Sequence, residues 1–172
     1  SIRGIARNTL VLLIQQLITW ASTFLLLLFL PRYLGPIEYG KLFLASSISG
    51  IFLIVVNYGG NLVLAKSVSR SRERTAQILV DALGLRFFLW IVSIAGIVAT
   101  SYIANYPDEV RVMLLIAGFG LLWEGAITCL YACYQGNELL QYTSAGIVAR
   151  RVFHSLVGVT ALLMGANATG MV

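Results

Sequence analysis

The distribution of charge along the chain constrains its fold more than any other feature. Asp, Glu, Lys and Arg are absent from Asn8 to Pro31, from Leu42 to Ala65, from Phe87 to Pro107 and from Val152 to Val172. Between Val112 and Asn137 only Glu124 interrupts the apolar run. A bilayer core about 30 Å thick needs roughly 20 apolar residues per helix, so each of these stretches is long enough to cross. Backbone amides inside lipid must satisfy one another, and the helix does this within a single segment. The 172 residues are 59% hydrophobic and 11% charged, against about 25% charged in soluble domains, so a water-soluble fold is not expected. The expected fold class is all-α, a polytopic membrane helix bundle of about five transmembrane helices near 8–31, 42–65, 83–105, 109–135 and 150–172, forming a single transmembrane domain over 1–172.

The chain opens on Ser1 and stops inside the fifth apolar run, so it reads as a piece of a longer protein, incomplete at the carboxyl end. The first run is too long for a cleavable signal and lacks a small-residue cleavage site before a polar region. A net charge of +5 would suggest nucleic acid if the bases formed one solvated patch. They are scattered between the apolar runs instead, and no nucleic-acid partner is expected.

Short cytoplasmic loops of membrane proteins collect Lys and Arg. With the amino end in the cytoplasm, Arg3, Arg7, Lys66, Arg70, Arg72, Arg74, Arg86, Arg150 and Arg151 fall inside, and only Arg32, Lys41 and Arg111 fall outside. The segment from Lys66 to Arg74 dominates this asymmetry. On the outer side, Pro31 to Gly40 carries prolines and glycines that end one helix and begin the next, which predicts a tight hairpin loop. Between the third and fourth helices, Pro107, Asp108 and Glu109 stand where proline opens a helix and the positive end of its dipole favours acids, so both acids are expected as capping residues. Tyr33, Tyr39, Tyr102 and Tyr106 fit an outer aromatic belt.

Polar residues within the apolar runs are the candidates for function. Asn8, Gln15, Thr19 and Ser22 recur at helical spacing on one face of the first helix, and Ser46, Gly50, Asn57 and Gly60 do the same on the second. Two readings stay open: interhelical packing by small and hydrogen-bonding residues, and the lining of a water-filled pathway. An ionisable group such as Glu124 near the middle of a span costs about 2.5 kcal/mol or more unless paired or hydrated. It is expected to face the bundle interior, there to carry a proton or coupling ion, to border a polar cavity, or to be neutralised by a partner. Asp81 and Arg86 read as interfacial residues that snorkel toward water, with a cavity role for Arg86 as the alternative. Cys129 and Cys133, with His154 distant, support neither zinc nor a disulfide framework and read as buried small residues. His154 reads as an interfacial residue. The sequence holds no phosphate-binding, dinucleotide, metalloprotease or hydrolase motif, so no catalytic residue, metal or cofactor is expected and the chain is not read as an enzyme.

With this topology, three features taken together resemble a known family: Arg7-Asn8-Thr9-Leu10, the turn Tyr33-Leu-Gly-Pro-Ile-Glu-Tyr-Gly40, and Tyr58-Gly59-Gly60 followed by the bases from Lys66 to Arg74. They resemble the amino-terminal region of polysaccharide biosynthesis flippases, the Wzx-type members of the multidrug/oligosaccharidyl-lipid/polysaccharide exporter superfamily. That family has an Asn opening the first helix, an L-G-x-x-x-Y-G turn, and a D-x-G element late in the second helix; here Asn57 stands where the Asp is common.

The resemblance implies a chain forming part of the first lobe of a two-lobed transporter around a central cavity. It implies translocation of an undecaprenyl-pyrophosphate-linked oligosaccharide across a bacterial or archaeal plasma membrane, with membrane lipids and polysaccharide assembly proteins as further partners. Under it, Arg7, Arg86, Arg150 and Arg151 are the candidates for the pyrophosphate, and Asn8, Gln15, Thr19, Ser22, Asn57 and Glu124 for the substrate pathway. Two alternatives remain. Another exporter of the superfamily, of multidrug or lipid II type, needs cation-binding acids, for which only Glu124 qualifies. A membrane-embedded polysaccharide polymerase or scaffold would normally show a large outer loop.

Overall fold

A computed structural model describes residues 2–163, without the side chains of residues 2–9, 11, 26, 159 and 161–163. The elements are α1 (Ile2–Asn57), α2 (Asn61–Arg70), a 3-10 turn (Arg72–Arg74), α3 (Thr75–Ile103), α4 (Asp108–Gly136) and α5 (Leu140–Leu163). Among the described residues there is no strand, and the chain is an all-α membrane helix bundle. Three helical stretches, Leu12–Arg70, Arg72–Ile103 and Asp108–Gly136, are long and apolar enough to cross a membrane. The first holds two of the apolar runs. The expected span at 150–172 begins within α5, and its last nine residues lie outside the described set.

The helices begin earlier than the apolar runs, α3 at Thr75 and α5 at Leu140. Charged turns beyond the lipid remain helical because water satisfies their side chains while the helix satisfies their backbone. The expected loop at Pro31 to Gly40 narrows to one non-helical residue, Gly35 (φ 76°, ψ 170°), a conformation that only glycine adopts without strain. Conversely, the expected continuous helix over 42–65 is broken. It stops at Asn57 and resumes at Asn61, through Tyr58 (φ 38°) and Gly59 (φ 66°).

The chain divides into two compact units. In the unit of residues 40–138, α4 lies against both α2 and α3. Its buried face runs Val110, Met113, Leu114, Gly118, Leu121, Gly125, Cys129, Ala132, Cys133 and Gly136, a helical stripe rich in small residues, which bring membrane helices into close approach. The approach is closest at Gly136, where an added Cβ would stand 2.6 Å from the carbonyl oxygen of Ala65 and 2.8 Å from Cβ of Val68. Cys129 and Cys133 are buried with Leu64, Val68, Ala82 and Ala132, with no disulfide, in keeping with their reading as small core residues. The Trp90 indole N–H donates to the Gly118 carbonyl at 2.9 Å, which places its polar edge against the helix backbone and leaves its ring to Phe87 and Phe119.

The two ends of this unit carry charge differently. At the α3–α4 turn, Glu109 pairs with Lys41 and Asp108 with Arg111 at 3.0 Å, while the Arg111 guanidinium lies 4.8 Å from the Tyr102 ring centre. Both acids stand in the first turn of α4, as expected at the positive end of its dipole, and ion pairing adds to that placement because bases lie within reach of both carboxylates. At the other end Arg72 pairs with Glu138 at 2.8 Å, whereas Lys66, Arg70 and Arg74 are exposed and make no ion pair among the described residues.

The unit of residues 2–39 and 139–163 holds the first part of α1 and α5. Leu17, Trp20 and Phe24 are exposed, as lipid-facing side chains of a membrane helix are. The Ser155 hydroxyl donates to the Ser22 carbonyl at 3.4 Å, and both serines are buried. Small polar residues thus join the two helices where they pack.

Candidate functional site

The most unusual group in the 40–138 unit is Arg86. It lies eleven residues into α3, about 16 Å of helix from Thr75, and is only 3% exposed. Reach explains why it does not snorkel: its helix end is more than two turns away, while acceptors on α2 and α4 are adjacent. Nη1 donates to the Gly125 carbonyl and the Thr128 hydroxyl, and Nη2 donates to Oδ1 of Asn61. The Thr128 hydroxyl in turn has Oδ1 of Asn57 at 3.0 Å and the Glu124 carbonyl at 2.9 Å. With one proton to give, it serves one of these acceptors at a time.

Four helical segments therefore meet at one guanidinium. Gly125 permits the approach by having no side chain where Val56 and the Arg86 stem pass; an added Cβ would lie 3.0 Å from Cγ1 of Val56 and 3.8 Å from Cδ of Arg86. Asn57 and Asn61 occupy the last and first positions on either side of the break, so both present their amides to α3 and α4.

Electrostatically the cluster is unbalanced. Among the described residues every partner of Arg86 is neutral, and its Nε is buried without a hydrogen-bond partner. A guanidinium is always protonated and offers five N–H groups, of which these contacts use three. A buried charge is tolerated where dipoles or a counter-ion surround it. Here dipoles do so, and the net positive charge stays. A positive charge with spare donors, held by neutral groups inside a span, can receive an anion.

The other sequence candidates are placed as follows. Glu124 is half-buried on α4, one turn before Thr128. In the other unit, Gln15 lines a groove of about 510 Å³ with Ile14, Ile18, Gln141, Ser144, Ala145 and Val148, and its Oε1 is buried with no hydrogen-bond partner. Thr19 donates to the Gln15 carbonyl of its own helix at 2.8 Å. Arg150 is half-buried on α5, and Arg151 and His154 are exposed. The side chains of Arg7 and Asn8 lie outside the described residues. Sequence reasoning missed Asn61, Thr128 and the Gly125 carbonyl. The available signal was spacing: Asn61 follows Asn57, and Thr128 follows Glu124, by one helical turn. Among the described residues no group of His, Cys, Asp and Glu is placed to hold a metal.

No curated protein and no solved structure matches the chain. Residues 5–172 match the family described as polysaccharide biosynthesis protein. With that match covering nearly the whole chain, and with helices long and apolar enough to span a membrane, the chain belongs to the polysaccharide biosynthesis protein family, that of the Wzx-type flippases.

Proposed function

We propose that the chain is part of a flippase that carries an undecaprenyl-pyrophosphate-linked oligosaccharide from the cytoplasmic to the outer leaflet of a plasma membrane, with its amino end in the cytoplasm. The observation that carries this reading is Arg86: a permanent positive charge, buried in a membrane helix, with neutral partners and an unused donor. A pyrophosphate crossing a bilayer needs cationic hydrogen-bond donors along its way, since an anion alone in hydrocarbon is prohibitively costly. Arg7, Arg150 and Arg151 are the further candidates for its arrival, and Asn8, Gln15, Thr19, Ser22, Asn57 and Glu124 those for the path of the glycan. Neutral hydrogen-bonding groups suit a sugar better than charges do. Asn57 also bears on the charge, because an aspartate there would stand beside Thr128 and give the guanidinium a counter-ion.

The test is translocation of a fluorescent lipid-linked oligosaccharide by the protein in proteoliposomes. Arg86→Leu is expected to lower the rate about tenfold or more, the effect of losing a charge-assisted contact in the rate-limiting state, with the amount of folded protein checked by size exclusion. Undiminished transport by Arg86→Leu sinks the headgroup role. Undiminished transport by Gln15→Leu combined with Asn57→Leu sinks the glycan path.

A further inference from the structure

The Arg86 cluster does more than hold a charge, because its neutral partners come from both sides of an interrupted helix. Asn61, the first residue after the break, accepts from Nη2 directly. Asn57, the last before it, is reached through Thr128, which accepts from Nη1. Between them the backbone turns through Tyr58 and Gly59, both with positive φ. Only a few bonds span the turn: Tyr58 N–H to Ile54 and Val55, and Gly60 N–H to Asn57 at 3.0 Å. The side-chain network adds to the packing of α2 on α4 in holding the two helical pieces in register. A non-glycine residue with positive φ persists only where its surroundings impose it; Tyr58 is exposed, and its ring lies over Gly60, where an added Cβ would meet Cε2 of that ring.

We propose that Asn61 and Thr128 are positioning residues that ration Arg86 between the helix break and an anionic headgroup, so that headgroup binding unties the break. This rests on the flippase reading above. The guanidinium spends three N–H groups on the protein and keeps two, one on Nε and one on Nη2, and a pyrophosphate that takes these two draws the guanidinium toward itself and Nη2 away from Asn61. Occupancy of the site and order at residues 58–60 then oppose each other. The same competition sets affinity: Asn61 weakens anion binding by holding the guanidinium in place against the anion's pull.

This gives a sign that a purely structural role would not produce. The protein is reconstituted in nanodiscs, binding of undecaprenyl pyrophosphate is measured, and hydrogen exchange is followed at the amides of residues 58–64 with and without that lipid; uncharged undecaprenol serves as the control. In the native protein, undecaprenyl pyrophosphate should speed exchange at these amides about tenfold, the scale of one lost charge-assisted bond. Asn61→Ala should show fast exchange without ligand and bind about tenfold more tightly, because the competitor is gone. Asn61→Asp supplies a fixed counter-ion and should do the reverse, binding more weakly and exchanging slowly with or without ligand. Binding by the native protein with no change at residues 58–64, or with no gain in affinity for Asn61→Ala, overturns the proposal and leaves the flippase reading standing. An equal response to undecaprenol also overturns it. No binding by the native protein or either variant overturns both.

Discussion

The two units handle polar side chains differently. Across residues 40–138 a connected set reaches to other helices, Arg86 to α2 and α4, Thr128 to the end of α1 and Trp90 to the α4 backbone, while Ser101 bonds its own helix and Oγ of Ser49 is buried without a partner. Across residues 2–39 and 139–163 they mostly turn back on their own helix or are left over. Half-buried Thr19 and exposed Thr23 each donate to the carbonyl four residues earlier, Oε1 of Gln15 and Oγ1 of Thr143 are buried without a hydrogen-bond partner, and Ser155 alone of these reaches across, to Ser22. The difference teaches which polar groups belong to the scaffold. A network closed across several helices specifies one arrangement, whereas a stripe satisfied by its own backbone can face a groove and still be replaced cheaply.

Substitutions can break that comparison, and the largest effect should come from the closest approach of a glycine to another helix's backbone in the 40–138 unit. Gly136→Val inserts atoms where the Ala65 carbonyl already stands 2.6 Å from an added Cβ. A backbone atom cannot swing aside, so the variant should lose about 3 kcal/mol, seen as a lower unfolding midpoint in detergent; an unchanged midpoint would mean that α2 does not lie on α4 there. Thr128→Val keeps the shape but removes the hydroxyl that links Arg86 to Asn57. About 1–2 kcal/mol should be lost, since an acceptor of a buried charge disappears. In the other unit Thr19→Val removes only a bond to its own helix and should change stability by no more than about 0.5 kcal/mol. A loss for Thr19→Val equal to that for Thr128→Val would erase the distinction between network and stripe.

Much of this architecture is legible from charge spacing, because lipid punishes unpaired polar groups severely enough to force long apolar helices. The small stripe on α4, including Cys129 and Cys133, is legible for a related reason: glycine, alanine and cysteine at helical spacing have little use on a lipid-facing surface. The break at Tyr58 to Gly60 is harder to read. The apolar run continues to Ala65, so hydropathy passes straight through it, and a glycine pair in a membrane helix is equally compatible with close packing. Arg86 was legible as a charge near a helix end but not as a buried one. Its burial depends on Asn61, Gly125 and Thr128, which lie 25, 39 and 42 residues away in the chain, and no local pattern announces that they converge. Asp108 and Glu109 were legible as first-turn acids of α4, but their ion pairs were not, since the bases that meet them were weighed only as topology markers.

The charge arrangement at the two ends of the 40–138 unit has an electrical consequence. Lys41, Asp108, Glu109 and Arg111 cancel in pairs at one end, while at the other, with Arg72 paired to Glu138, Lys66, Arg70 and Arg74 outnumber the acid beside them, Glu73, by two. A voltage across the bilayer does work of about 2.3 kcal/mol on each elementary charge per 100 mV, and it finds net charge to act on at only one end. A membrane that is negative on one side therefore pulls the Arg70 end toward that side and exerts almost no opposing pull on the Lys41 end. To the field, the unit is a body charged at one end.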